Sequence, residues 1–290
     1  TTIVIGSPYE TNTTNSNTGN VRVYNYNSPT ESWSTPIELP TPTSSTNFGE
    51  YVSISSSGDN IIASYKEGAV AIYSLTSSGN YAAFTPITIA NTTGGYPLCI
   101  SGDGTTVSFC ISDDDDDDEY YVYVYDKANT ATPSQLGSYV SGYYNKLSND
   151  GNTLIVGDIS TASNPSVNVY NYNGSVWTPI LNNNTSVNNV SISSQANIIG
   201  YVSNDVTTTS NMLNILQYNS GNWDQLGNIN NFVYDSTNEV KLQLSGDGLK
   251  FMIGTTKDIA VYYYNANNTY TTSQPESSSS NSLSYVVTRS

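Results

Sequence analysis

Seven consecutive acidic residues, Asp113, Asp114, Asp115, Asp116, Asp117, Asp118 and Glu119, are the sharpest chemical feature of this chain. Hard cations such as Ca²⁺ take clustered oxygen ligands, so the run is a candidate metal contact. A consecutive run lacks the spacing that folds several carboxylates around one ion. A solvated acidic loop, with weakly bound Ca²⁺ as the one candidate cofactor, is therefore the expectation. Other catalytic chemistry finds little to build on. The chain has no histidine, which removes the commonest general base and metal ligand and excludes Ser-His-Asp and Cys-His arrangements. The Glu residues are scattered, and most Asp fall in turns or in the acidic run. No catalytic or cofactor-binding residue is assigned, and the chain is expected not to be an enzyme.

Modification and binding residues form a second group. Acceptors of the N-x-[ST] type that fall in expected loops are Asn12, Asn91, Asn173 and Asn183, where a glycan could sit. Tyr and Asn are abundant and offer flat apolar faces and amide hydrogen bonds that suit sugars. Most of these Tyr follow a strand pattern; Tyr9, Tyr139 and Tyr143 lie outside it and are better candidates for exposed contacts. Cys99 and Cys110 fall on neighbouring strands of one hairpin, as buried thiols or, less favoured, as a bridge.

Composition narrows the partners. With 24 acidic against 8 basic residues the net charge is −16, and no Lys/Arg cluster exists to follow a phosphate backbone. Nucleic acid and anionic membrane surfaces are excluded, and no apolar run is long enough to insert into a bilayer. Charged residues are only 11% of the chain, against about 25% in an average domain, so the exterior is mostly neutral amide and hydroxyl. Ser, Thr and Asn compete for the backbone and disfavour helices. Together with β-branched residues and Tyr they suit strands joined by polar turns. A first residue of Thr suggests processing or a fragment.

The elements that position these residues repeat. The stretch "YNKLSNDGNTLIVGDISTASNPSVNVYNYNGSVWTPI" (144–180) contains a short strand ending in Ser, an Asp-Gly turn and an apolar strand. A polar loop, a V-x-V-Y-x-Y strand and a strand opened by Trp follow. The order recurs, with the Ser or Thr that ends each first strand at Ser55, Ser101, Ser148, Ser193, Ser245 and Thr288. Each repeat reads as four antiparallel strands, A to D, with Gly104, Gly151 and Gly248 supplying the positive φ of the A–B hairpin. Apolar or aromatic residues on both faces of strand C mean that both faces are covered, as when blades stack around an axis. Trp33, Phe84, Trp177, Trp223 and Tyr270, opening strand D, are expected to wedge between blades.

The expected fold is therefore all-β: one domain, 1–290, forming a six-bladed β-propeller of four-stranded antiparallel blades. Approximate blades are 1–47 plus 281–290, 48–94, 95–138, 139–185, 186–232 and 233–280. The first blade lacks its strand A at the N-terminus. The C-terminal strand at 284–288 is expected to complete it by pairing with residues 2–6 of the same chain, the favoured closure. Alternatively it pairs with the next subunit, which would propagate a fibre.

The L/I-S-x-D-G turn, the apolar strand ending in Gly, the V-x-V-Y strand and the aromatic strand D together resemble FG-GAP-like propeller repeats. Such repeats occur in secreted and surface proteins of aquatic microbes and large DNA viruses, and distantly in integrin α-chain propellers. The turn is also similar to the WD40-like repeat. The resemblance covers nearly the whole chain and implies a non-catalytic surface, adhesive or assembly role. It departs from the calcium-binding repeats, which need a D-x-D-x-D-G loop: each A–B turn here carries a single Asp, and Gln195-Ala196 replaces the Asp-Gly pair in one. The Asp-Gly turns are read as structural.

From these readings the chain is expected to be a non-catalytic extracellular or particle-surface module, self-assembling into a fibre or shell through terminal strand pairing. The alternative is a lectin-like, glycan-binding adhesion propeller. Partners would be other copies of itself, surface proteins or glycans. The location would be extracellular, at a cell surface, or on a virion or filament.

Overall fold

The computed structural model describes residues 1–11, 18–43, 46–65, 68–89, 92–93, 97–113, 116–127, 132–158, 166–205, 210–226, 234–235, 240–255, 258–264 and 270–277. Among them the chain is a six-bladed β-propeller. Six antiparallel sheets follow one another in sequence, and one 3-10 turn, Ser28–Thr30, is the sole helical element.

Blade 4 shows the plan with least embellishment. Strands Tyr144–Leu147, Thr153–Gly157, Val167–Tyr172 and Trp177–Asn183 pair in chain order, A to D from the axis outward. The A–B turn is closed by Ser148 N–H donating to Thr153 O at 2.9 Å. Gly151 sits at φ +69 in that turn, and Gly104 and Gly248 take φ +76 and +72 in theirs, the left-handed region that a side chain resists. Strand D is the outer edge, where a missing N–H costs no ladder bond. Pro36 and Pro86 accordingly sit between two short D segments that pair with one strand C, Ser32–Trp33 with Ile37–Glu38 in blade 1 and Tyr81–Ala83 with Ile87–Thr88 in blade 2.

Period-two alternation sends neighbouring side chains to opposite blades. In strand B of blade 2, Asn60–Ser64, Ile61 and Ala63 join Val4, Val21 and Val23 of blade 1 in one core. Ile62, between them, packs with Val107 and Phe109 of blade 3. Three further clusters join blades 3 and 4, 4 and 5, and 5 and 6. Burying one such Ile contributes about 1.5–3 kcal/mol, and an isolated blade would leave both its faces wet. Stability is therefore a property of the stacked ring.

Several expectations are refined. Trp177 is 8% exposed, and its Nε1 donates to Leu136 O of blade 3 at 2.8 Å, so it wedges as expected. Trp33 and Phe84 are exposed instead. Trp33, Trp177 and Trp223 each pack on the last Tyr of their own strand C, with centroids 5.0–5.2 Å apart. Cys99 and Cys110 are free buried thiols, offset along the hairpin because Cys99 faces Ser108. Burial pushes the Cys110 thiol well up. The third sheet takes in Thr92–Thr93 and Val140–Ser141 and so runs past the 95–138 span. Blade 1 contributes strands B, C and D. The closing strand expected at 284–288 lies outside the described residues.

Candidate functional site

Strand A of blades 2 to 6 has a partner on one side only, so alternate backbone N–H groups point inward off the sheet. These groups must find other acceptors, and the way they do so builds the axial site. Ile100 N–H donates to Ser53 Oγ at 3.2 Å, Leu147 N–H to Cys99 Sγ at 3.4 Å, and Leu244 N–H to Ser191 Oγ at 2.9 Å. In each case the acceptor lies two residues before the Ser that ends strand A, and the donor lies one residue before the corresponding Ser of the next blade. Side chain to backbone, blade to blade, the ring stitches its inner wall together.

A second tier lies at the A–B turns. Ser56 N–H donates to Gly102 O, Asp103 N–H to Asn149 O, Asn149 N–H to Ser194 O, and Ser194 N–H to Gly246 O, all at 2.8–2.9 Å. This collar joins five successive turns by backbone alone. A Cβ on Gly102 would lie 2.0 Å from Asn149 Oδ1, the end of an exposed side chain that would have to move aside.

Inside these tiers lies a pocket of about 370 Å³, lined by Ser53, Cys99, Lys146 and Gln243 on the strands and by Ser56, Asn149 and Ser194 at the turns. No Asp or Glu lines it among the described residues. The turn carboxylates are engaged elsewhere: Asp103, Asp150 and Asp247 each accept from the Ser two residues earlier at 2.5–2.6 Å and from the backbone N–H two residues later at 3.0 Å. Lys146 occupies the column that holds Ser53, Cys99 and Ser191 in other blades. It is half-buried, and its side chain makes no ion pair or hydrogen bond among the described residues.

The acidic run lies apart from this pocket. Asp113 ends strand B of blade 3 and Asp116 begins strand C, paired across the hairpin, while Asp114 and Asp115 lie outside the described residues. Most of the run thus extends two strands where the sequence suggested a B–C loop, because the ladder continues through the polar residues. Glu119 is exposed and accepts from Tyr121 Oη. No group of three or more His, Cys, Asp or Glu gathers into a metal-binding set among the described residues. Asn12 and Asn91 fall outside the described residues. Asn173 lies in an exposed C–D turn, its Oδ1 accepting from Ser175 and Val176 N–H. Asn183 ends strand D, and its Nδ2 donates to Tyr201 Oη at 3.0 Å. Tyr9 and Tyr139 are exposed, while Tyr143 packs edge-on to Tyr120 and Tyr144 and burial raises its pKa.

The Lys146 column was missed by motif reading, which sought His, carboxylates and arginines. Aligning the repeats on the terminal Ser or Thr would have shown it as the lone cation in a column of Ser53, Cys99, Ser191, Gln243 and Val286.

No protein-family model and no curated protein matches the chain. Solved structures do. The periplasmic gluconolactonase of Pseudomonas aeruginosa superposes with a TM-score of 0.62 at 12% identity, over 94% of this chain and 82% of that one. A putative 6-phosphogluconolactonase from Bacteroides uniformis gives 0.60 at 14% identity, over 90% and 79%. The WD40-like side of the resemblance is met by a Swd1 β-propeller domain from Myceliophteria thermophila, at 0.58 and 9% identity over 89% and 80%. Identities this low establish a shared fold. They also correct the expectation of a non-catalytic structural, fibre-forming or lectin-like module and of a chain that is not an enzyme. Solved propellers of this shape bear the names of lactone hydrolases, so the step from a missing histidine to a structural role fails.

Proposed function

We propose that the chain hydrolyses a small cyclic ester of a sugar acid, an aldonolactone, in its axial pocket. The observation that carries this reading is the pocket wall: hydroxyls, amides and inward strand edges, with no carboxylate lining it among the described residues. Its volume suits one sugar-sized ring, and its hydroxyl, amide and Lys146 groups match a polyhydroxylated ligand. The names gluconolactonase and 6-phosphogluconolactonase, borne by propellers of the same fold, support the substrate class. A lactone is an ester already reactive toward water, so a histidine-dependent nucleophile is not required. Donors placed at the developing oxyanion supply the main stabilisation. Water adds to the ring carbonyl, the ring C–O bond breaks, its oxygen takes a proton, and the product acid ionises with release of one proton.

Proton release from glucono-1,5-lactone at constant pH tests the reading. The purified chain is expected to give a rate above the spontaneous one that saturates with substrate. Asn149→Trp, at the rim, is expected to abolish the excess. A rate equal to that of buffer at every chain concentration overturns the proposal. The FG-GAP-like kinship suggested by the S-x-D-G turns, and with it an extracellular location, belongs to the same proposal. Exposed Asn173 is the place to look for a glycan on secreted material, by intact mass.

A further inference from the structure

Among the described junctions, from blade 2 to blade 6, the inner series of side-chain to backbone hydrogen bonds is interrupted at one, between blades 4 and 5. Ser53, Cys99 and Ser191 each accept an inward N–H from the following blade. In blade 4 the same position is Lys146, whose ammonium can only donate. The N–H that it would serve is that of Ile192. Ser193 N–H donates to Ile198 O, and Ser191 pairs with Gly200 across the sheet, so Ile192 N–H points off the ladder toward the axis. It has no acceptor among the described residues. Ile192 and Lys146 both line the pocket. Where Ser53, Cys99 and Ser191 set an acceptor against the inward N–H, blade 4 offers none from that position, and the pocket is lined instead by a backbone donor and a lysine.

Two donors lining one pocket, one of them a full charge, call for an acceptor supplied from outside. We infer that Lys146 and Ile192 N–H form an oxyanion subsite of the axial pocket, which takes a carboxylate or phosphate group of the bound ligand. This rests on the axial pocket being the ligand site, but not on lactone hydrolysis. The chain carries a net charge of −16, which repels anions at long range. At physiological salt that field is screened beyond about 8 Å, so contact donors govern binding. Charge-assisted hydrogen bonds to an oxyanion are about twice as strong as neutral ones. The inner ring forgoes one stitch here, and the ligand group restores it.

The substitution that separates ligand binding from folding is Lys146→Ser. It installs the side chain found at Ser53 and Ser191, gives Ile192 N–H an acceptor, and is expected to leave the protein folded and at least as resistant to urea. Titration calorimetry with 6-phosphogluconate, gluconate and inorganic phosphate then reads the subsite directly. The wild-type chain is expected to bind one or more of them, with Lys146→Ser weakening that binding by about tenfold or more and Lys146→Arg retaining most of it. Preference for 6-phosphogluconate and inorganic phosphate identifies a phosphate subsite, and equal binding of gluconate identifies a carboxylate subsite. Equal affinities in wild type and Lys146→Ser overturn the inference, as does a wild-type chain that binds none of the three. Anion binding without lactone turnover would leave the subsite standing and remove the hydrolase reading. Lactone turnover together with equal anion affinities in wild type and Lys146→Ser would do the reverse.

Discussion

Blades 4 and 5 make the same A–B turn from different letters. In blade 4, Ser148-Asn149-Asp150-Gly151-Asn152-Thr153, Ser148 Oγ accepts Thr153 N–H at 3.0 Å and donates to Asp150 Oδ1 at 2.6 Å. In blade 5, Ser193-Ser194-Gln195-Ala196-Asn197-Ile198, Ser193 Oγ accepts Ile198 N–H at 3.0 Å and donates to Asn197 Oδ1 at 2.9 Å. The invariant part is the hydroxyl bridging to the backbone five residues on. The acceptor for its proton can stand two or four residues away, charged or neutral. Position four of the turn differs more sharply: Gly151 takes φ +69, whereas Ala196 takes φ +56 with a methyl group in place. Blade 5 can hold that methyl because it packs against the apolar core shared with blade 4. Blade 4 cannot, because a Cβ on Gly151 would lie 2.3 Å from Thr106 Oγ1 and 2.6 Å from Thr106 Cβ of blade 3. The comparison teaches that the turn's shape is local but its tolerance is set by the preceding blade.

Three substitutions press on that difference. The largest effect is expected from Gly151→Ala, which combines a left-handed cost of about 1–2 kcal/mol with displacement of Thr106, for a total near 2–4 kcal/mol. Urea unfolding should show a lower midpoint at constant slope; a loss under 1 kcal/mol would mean that the preceding blade yields freely.

Next comes the charge on Asp150. Burial works against its ionised form, but hydrogen bonds from Ser148 and Asn152 outweigh that and hold its pKa below the ordinary value of 3.8. A depressed pKa contributes stability that is present above the unfolded value and lost as pH falls through the folded one. Wild type is therefore expected to exceed Asp150→Asn at neutral pH by a margin that shrinks as pH falls below about 4. A margin that stays constant between pH 7 and pH 3 would show that only the acceptor geometry counts, as it does at Asn197. The smallest effect is a gain. Ala196→Gly relieves the positive φ but adds unfolded-chain freedom and removes the methyl packing, leaving about 0.5 kcal/mol at most; a clear loss would show that the methyl packing outweighs the strain.

Those turns are also where the sequence was most legible. Ser and Asp-Gly at a fixed spacing announced the hairpins, and β-branched residues on both faces announced blades covered on both sides. The Trp positions were only partly legible, since all three lie on their own Tyr and differ in what the neighbouring blade offers: Leu136 O receives Trp177, Trp223 packs against the core between blades 4 and 5, and Trp33 stays exposed. The pocket was hidden for a different reason. Its character comes from which strand edge faces the axis, and a list of side chains does not show the N–H of Ile192. Lys146 was visible as a letter but had no meaning until Ser53, Cys99 and Ser191 were seen doing one job.

The collar that ties the A–B turns together has a consequence for how such a protein can change. Ser56, Asn149 and Ser194 stand at its links, yet the bonds run through their backbone atoms. The identity of the side chain is thus nearly independent of the bond it accompanies. These rim positions form an address ring around the pocket mouth that can be rewritten without unfastening the closure. Gly102 is coupled to two of them, because a side chain there would displace those of Asn149 and Ser56. Diversity among homologous propellers is expected to concentrate at these links, and a library randomised there would explore new ligands on an unchanged frame.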